Sequence, residues 1–223
     1  RHQSLAWFVL ITLTSLIHFY LLAMVLALCL SDQLRRLQQR ELSLKQSIYS
    51  WLAIGVILIF VFWQAGYLML TGAIAGGNQY GIGRLNLLSI FNPDGWSYLL
   101  PNIALADRVY EGFIYFGFGM LLCVCAALFK IGSHSIAWQP ILARYRALLW
   151  VSIGLTIFAI SHQVGIGPWS LTIPLPNTVL DIAGILRASG RLFWPVYYLL
   201  MIGVFYILAR TYSSKRINLI LLA

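Results

Sequence analysis

The stretch "LAWFVLITLTSLIHFYLLAMVLALCL" (residues 5–30) is 26 residues long and contains no Asp, Glu, Lys or Arg. A helix needs about 20 consecutive apolar residues to cross the hydrocarbon core of a membrane. The stretch therefore predicts a first transmembrane helix, and its extra length predicts that this helix tilts or protrudes. His18 lies near the middle of the stretch, at a depth where an ionisable side chain is a candidate for function.

The whole chain has the composition of a membrane protein. Of its 223 residues, 61% are hydrophobic and 9% are charged, and the mean hydropathy is +0.84. A soluble domain carries about 25% charged residues, so this chain lacks the polar surface that a soluble fold requires. Four more apolar runs follow the first: residues 48–70, 113–129, 147–161 and 192–210. We predict an all-α, polytopic fold in which residues 1–223 form a single transmembrane domain with about five transmembrane helices.

The net charge of +9 comes from basic residues in short segments between the apolar runs, at 31–47, 130–146 and 210–216. This distribution indicates membrane topology and not nucleic-acid binding, because positive loops stay on the cytoplasmic side. The N-terminal end of the chain is then outside and the C-terminal end is cytoplasmic. The chain begins at Arg1 and ends on the apolar "INLILLA". We therefore expect it to be a portion of a larger membrane protein, with further helices in the same protein or in another subunit.

The two outer loops, residues 71–112 and 162–191, are long, apolar and rich in Gly, Pro and Trp. Loops of this length are commonly functional, and their composition is too apolar for a solvated, disordered segment. We expect them to pack on the outer membrane face as short interfacial helices and re-entrant turns. The stretch "FNPDGWS" (residues 91–97) in the first of them predicts a turn, because Asn-Pro and Asp-Gly favour turns. Any chemistry of the protein should lie there.

The second outer loop places Arg187 and Arg191 directly before the last apolar run. A helix starting near Asn177 would carry Arg187 in its last turn, where a cation suits the helix dipole. Both arginines can extend to lipid phosphates as membrane anchors, or they can pair with Asp107 or Glu111. A third interpretation is a phosphate clamp, because guanidinium groups bind phosphate oxygens with two parallel hydrogen bonds.

The first outer loop ends on Asp107 and Glu111, which a helix would present on one face. Acids at a helix start complement its dipole without further function. They could also bind a divalent cation, pair with the arginines or act as a general base. His18, Gln64 and His162 are candidates for a polar cavity. The three cysteines lack the spacing of a metal site or a disulfide framework, so no metal site is predicted from them.

Four segments carry a family resemblance: "HFYLLAMVLALCLSDQLRR", "LNLLSIFNPDGWSYLLP", "DRVYEGFIYFGFG" and "LRASGRLFWPVYYLL". Together they resemble an uncharacterised bacterial family of polytopic membrane proteins, catalogued as a domain of unknown function and similar to GT-C type glycosyltransferases. The chain looks like a C-terminal portion of such a protein.

The resemblance implies a multi-pass protein of the bacterial inner membrane that transfers a sugar from a polyprenyl-phosphate donor at the extracytoplasmic face. It implies that Arg187 and Arg191 contact the donor phosphate. The catalytic acid of GT-C enzymes lies in an earlier loop, so Asp107 and Glu111 are not assigned by it. Two other functions remain open on the residues: a transporter or flippase for a lipid-linked anionic substrate, and a non-catalytic protein of envelope assembly whose partners are membrane lipids and proteins.

Overall fold

The structure is a computed structural model that describes residues 2–67, 79–106, 110–133 and 138–212. It is mainly helical. The α-helices are α1 His2–Ile17, α2 Phe19–Gln38, α3 Leu44–Gln64, α4 Phe118–Ser133, α5 Trp138–Ile160, α6 Asn177–Gly184 and α7 Trp194–Thr211. Two short 3-10 helices cover Tyr110–Gly112 and Ser189–Phe193, and two strands cover β1 Gln163–Ile166 and β2 Trp169–Thr172. The chain divides into two compact units, one of Arg1–Gly77 with Gln139–Leu155, the other of Asn78–Trp138 with Thr156–Ala223.

The first unit contains a tight helical hairpin made by α1 and α2. The indole Nε1 of Trp7 donates to the carboxylate of Asp32 over 3.1 Å, and the guanidinium of Arg36 donates to the hydroxyl of Ser4 over 3.5 Å. These contacts join the start of α1 to the end of α2. The two helices therefore run antiparallel, and the prediction of one continuous membrane helix over residues 5–30 is wrong.

The turn of the hairpin is a single residue, His18, with an extended backbone. In the preceding turns the hydroxyls of Thr12, Thr14 and Ser15 donate to carbonyl oxygens three or four residues earlier, a pattern that bends helices. The Nδ1 of His18 then accepts from the backbone N–H of Tyr20 over 3.2 Å, which caps the start of α2. His18 is exposed at this corner, so the prediction that it lies within a helix at mid-depth is also wrong.

The third helix packs against this hairpin. It begins with a capping box, in which Ser43 and Gln46 exchange side-chain and backbone hydrogen bonds. A buried hydrogen bond of 2.6 Å from the Ser47 hydroxyl to the side-chain oxygen of Gln33 links α3 to α2. The buried core of this unit is formed by four residues: Ile11, Leu22, Cys29 and Ile54.

In the second unit, α4 and α7 lie side by side and run in the same direction. The Tyr197 hydroxyl donates to the carbonyl of Tyr115 before α4 begins, and the Tyr212 hydroxyl donates to the carbonyl of Ala126 further along. Four buried residues fill the contact between the two helices: Met120, Cys123, Ala127 and Leu208.

Three helical stretches in the described part of the chain are long and apolar enough to cross a membrane: Leu44–Gln64, Trp138–Ile160 and Ser189–Thr211. These stretches match the second, fourth and fifth predicted spans. Two shorter apolar helices cover Ser4–Ile17 and Phe118–Gly132. The all-α prediction needs one correction, because β1 and β2 pair antiparallel within the second predicted outer loop, where only short helices and turns were expected.

The hairpin makes a direct prediction about distance. Spin labels at Leu5 and Gln38, both exposed, should lie about 10–20 Å apart, because packed helices are separated by about 8–10 Å. A continuous helix would separate them by about 50 Å at 1.5 Å per residue. Double electron–electron resonance, with the three native cysteines replaced by alanine, measures this distance.

A label pair at Leu44 and Trp63 is the control for the distance measurement. Both are exposed and belong to one straight helix, so about 28 Å is expected between their backbones. A Leu5–Gln38 distance near 50 Å alongside a normal control would contradict the hairpin.

Candidate functional site

The two segments predicted as outer loops fold together into one structure within the second unit. We call the described residues of 79–117 and 161–193 the loop body. Backbone hydrogen bonds join the two segments at several places: Gly83 N to Arg187 O over 3.2 Å, Gly190 N to Gly83 O over 2.7 Å, Leu87 N to Gly165 O over 2.9 Å, and Ala106 N to Gly167 O over 2.8 Å. The sequence predicted short helices and re-entrant turns in these loops, and it did not indicate that one loop pairs with the other.

Three glycines allow the backbones to cross. A Cβ at Gly112 would overlap the carbonyl oxygen of Arg84, and one at Gly190 would lie 2.8 Å from the carbonyl oxygen of Gly83 and 2.9 Å from the Cα of Gly112. A Cβ at Gly83 would lie 2.6 Å from the Cα of Ala188. Any side chain at these positions would push the segments apart, so the loop body depends on glycine there.

Arg84 is buried beside this crossing, with 8% of its surface exposed. Its Nη1 donates to the carbonyl of Gly81 over 3.2 Å and to the side-chain oxygen of Gln163 over 2.7 Å. A buried charge is tolerated when such oxygens replace water. From the sequence, Arg84 is merely one of the few basic residues on the outer side, and no local pattern indicates that it is buried.

Asn86 makes a second link between the loops. Its amide Nδ2 donates to the carbonyl of Gly167 over 2.9 Å, and its Oδ1 accepts from the backbone N–H of Gly167 over 3.0 Å. The side chain thus pairs with the β1–β2 turn as a backbone strand would. This role was missed because a single Asn in a loop has many possible partners.

His162 lies at the edge of the same cluster. Its ring stacks on Tyr80 with centroids 5.5 Å apart, and the Tyr80 hydroxyl donates to the carbonyl of Phe158 over 2.9 Å. Burial raises the pKa of Tyr80 to about 12. Desolvation, together with the charge of Arg84, lowers the pKa of His162 below its ordinary value of 6.5. Its Nδ1 is buried and has no hydrogen-bond partner among the described residues.

The two predicted phosphate-binding arginines precede and follow Gly190 in the chain. Arg187 is exposed, and its Nη1 donates to the Gln79 side-chain oxygen over 3.4 Å. The helix α6 ends at Gly184, so Arg187 lies beyond it and the helix-dipole interpretation is wrong.

Arg191 is partly exposed, and its Nη2 lies 3.9 Å from a carboxylate oxygen of Glu111. Of the sequence alternatives, pairing with Glu111 therefore occurs, while Asp107 lies outside the described residues.

A polar cavity of about 340 Å³ opens next to the crossing. Gly112 and Phe113 form one wall, and Asp94 belongs to the turn that the "FNPDGWS" stretch predicts. That turn is confirmed by backbone φ angles of 45° at Asp94 and 91° at Gly95. The remaining lining residues are Ser89, Asn92, Asn102, Ile103, Ala104 and Leu105.

An aromatic cleft of about 230 Å³ begins on the other side of Phe113, at the start of α7. It is lined by Phe113, Ile114, Tyr115, Trp194, Tyr197 and Tyr198. Phe113 therefore borders both the polar cavity and the cleft. Glu111 precedes Phe113 by two residues and Arg191 precedes Trp194 by three, so both members of the ion pair are close in the chain to residues that line the cleft.

The other two residues that the sequence suggested for a polar cavity, His18 and Gln64, belong to the first unit. Gln64 is exposed at the end of α3 and lines an apolar groove of about 460 Å³ together with Thr12 and Leu16. Phe19, next to His18, contacts Phe62 with ring centroids 6.4 Å apart, so the hairpin tip lies level with the end of α3. His18 and Gln64 are therefore at the same end of this unit, and both are exposed.

Because His162 has a lowered pKa, the loop body should lose stability in mild acid. The unfolded chain binds a proton near pH 6.5 and the folded chain does so at lower pH, so stability falls as the pH drops below about 6.5. The midpoint of thermal unfolding should decrease over this range in the native chain. In His162→Gln, which cannot be protonated, this decrease should be smaller. An equal decrease in native chain and variant would contradict the assignment.

No curated protein matches the chain, and no solved structure matches it. The match that is found is to a family described as a domain of unknown function (DUF6311), and it covers residues 1–223. The chain therefore belongs to the DUF6311 family.

Proposed function

We propose that the protein is a GT-C type membrane glycosyltransferase that takes a sugar from a polyprenyl-phosphate donor at the extracytoplasmic face of the bacterial inner membrane. The observation that carries this proposal is the Arg191–Glu111 ion pair. Its members are close in the chain to Phe113, which lines both a polar cavity and an aromatic cleft, and to Trp194, which lines the cleft at the start of a membrane-length helix. A lipid-linked sugar has three matching parts: a sugar, a phosphate and an apolar chain.

The arginines would act on the leaving group. In the transfer, an acceptor hydroxyl forms a bond to the anomeric carbon of the sugar while the bond from that carbon to the phosphate oxygen breaks. The hydroxyl proton passes to a base, and the polyprenyl phosphate leaves with one additional negative charge. Guanidinium groups at Arg187 and Arg191 would stabilise that charge. Glu111 would neutralise Arg191 until the phosphate binds.

The topology in this proposal differs from the one predicted from sequence. The segments at 31–47 and 130–146 face the cytoplasm, as their positive charge favours. The hairpin of α1 and α2 replaces the single crossing predicted over residues 5–30, and it returns the chain to the side on which α1 begins. Because Ser4 contacts Arg36, the start of α1 lies on the cytoplasmic side in this proposal. The sequence-based topology had placed the N-terminal end of the chain outside. The parallel direction of α4 and α7 supports this arrangement, because both would run from the outside to the cytoplasm.

Lipid binding tests the proposal without knowledge of the sugar. Purified protein in nanodiscs should bind undecaprenyl phosphate more tightly than uncharged undecaprenol. Arg191→Gln should reduce the phosphate preference by about tenfold or more, which is the effect of losing a hydrogen bond to a charged group. Arg191→Lys should recover part of it, because lysine keeps the charge and loses the two-pronged geometry. Glu111→Gln should maintain or increase binding, because it removes the competing carboxylate.

Arg144→Gln is the matched control for the binding experiment. It removes an exposed positive charge from a segment proposed to be cytoplasmic and should leave binding unchanged. Excess phosphatidylglycerol in the nanodisc distinguishes a lipid-linked phosphate site from general attraction to anionic lipids. Equal binding of undecaprenyl phosphate and undecaprenol, or no effect of either Arg191 variant, would contradict the proposal.

A further inference from the structure

The contacts of Asn92 and Asn102 determine which hydrogen-bonding groups the polar cavity of the loop body presents. The Oδ1 of Asn92 accepts from the backbone N–H of Ile103 over 2.8 Å and of Asp94 over 3.4 Å. The Oδ1 of Asn102 accepts from the backbone N–H of Gly95 over 2.7 Å. Backbone N–H groups can only donate, so both carboxamide oxygens must face the loop backbone.

The remaining groups are available to a ligand. Among the described residues, the NH₂ groups of Asn92 and Asn102 have no hydrogen-bond partner, and the Asp94 carboxylate has none either. Asn92 is held in place, with 3% of its surface exposed. The cavity therefore offers amide donors and a carboxylate acceptor on a rigid turn, and Ser89 adds a hydroxyl that can do both.

This combination favours neither anions nor metal ions. No basic side chain lines the cavity among the described residues, and the Asp94 carboxylate would repel a phosphate. Calcium and magnesium need several oxygen ligands, whereas the two amide oxygens are already engaged and a single carboxylate remains. The described residues contain no group of three His, Cys, Asp or Glu side chains that could hold a metal.

A hydroxyl group both donates and accepts hydrogen bonds, so it matches a site that presents both kinds of partner. The volume of about 340 Å³ is near the lower end of the range for small-molecule sites, about 300–1,000 Å³, and suits a single ring. The side chain of Phe113 closes one side with an apolar surface. We propose that this cavity binds a neutral sugar ring, with its hydroxyls on Asp94, Asn92 and Asn102 and its less polar face on Phe113.

This inference rests on the proposed function, because the bound ring would be the sugar of the donor or of the acceptor. The two can still fail separately. Sugar binding depends on Asp94 and not on the arginines, whereas phosphate binding depends on Arg191 and not on Asp94.

Saturation-transfer difference NMR on the full chain in nanodiscs tests the cavity. The probes are the methyl glycosides of glucose, mannose and galactose, with methyl glucuronide as the anionic comparison. We expect saturable binding of at least one neutral glycoside and weaker binding of the glucuronide. Asp94→Asn should weaken the binding of the neutral glycoside by about tenfold, because it removes a charged hydrogen-bond acceptor. Asparagine also tolerates the positive φ at this position, so the turn is retained.

Two further variants complete the sugar-binding experiment, one that fills the cavity and one that serves as a control. Ala104→Phe fills the cavity from its wall and should abolish binding, whereas Asp181→Asn removes an exposed carboxylate on α6 and should leave binding unchanged. Arg191→Gln should also leave it unchanged. Failure of all three neutral glycosides to bind, or equal binding by native protein, Asp94→Asn and Ala104→Phe, would overturn the proposal.

The source of the sugar is distinguished by a second pair of probes. A citronellyl glycoside carries the same ring on a short isoprenoid chain that can reach the aromatic cleft. If the ring belongs to a lipid, the citronellyl probe should bind more tightly than the methyl glycoside, and Tyr198→Ala should remove that gain alone. Equal affinities would assign the cavity to a water-soluble sugar.

Discussion

The loop body depends on one steric constraint, the close crossing of three backbone segments at Gly83, Gly112 and Gly190. At this crossing, the N–H of Gly190 reaches the carbonyl of Gly83, and Gly112 lies against both Gly190 and the carbonyl of Arg84. These contacts are possible because glycine has no Cβ. They bring together Gly83 and Gly190, which are 107 residues apart in the chain, and Gly112, which lies between them in sequence.

The crossing also sets the arrangement of the candidate site. Gly112 forms part of the wall of the polar cavity. Of its neighbours, Glu111 pairs with Arg191 and Phe113 lines the aromatic cleft. Gly190 is followed directly by Arg191. A shift in the crossing would therefore change the cavity, the ion pair and the cleft together. The buried Arg84, held by Gln163 and the carbonyl of Gly81, stabilises the same region from within.

Sequence patterns predicted what depends on composition and local spacing. Long apolar runs identified the helices Leu44–Gln64 and Trp138–Ile160, and the Asn-Pro-Asp-Gly stretch identified the turn at Asp94. The hairpin at His18 was missed because hydropathy is insensitive to direction: two short antiparallel helices have the same composition as one long helix. The hydroxyl-rich run from Thr12 to Ser15 was the available signal.

The residues of the candidate site likewise divide into those that the sequence predicted and those that it did not. Arg187 and Arg191 were selected because charge beside an apolar run is unusual, and pairing with Glu111 was one of the alternatives considered. Arg84, Asn86 and the cavity around Asn92 could not be predicted, because their roles arise from contacts between distant loop segments. Such contacts require the tertiary structure, whereas a single sequence contains only the residue types.

Amide hydrogen exchange measured by mass spectrometry tests the crossing most directly. In the native chain, peptides covering residues 79–88 and 185–193 should be protected together. In Gly112→Ala both peptides should exchange faster, although neither contains the substitution, because the added methyl group displaces the segments that cross there. Gly119→Ala, where a Cβ would meet nothing within 4 Å, is the control and should exchange like the native chain. Faster exchange confined to the peptide that contains residue 112 would contradict the account, since the loop segments would then be independent of one another.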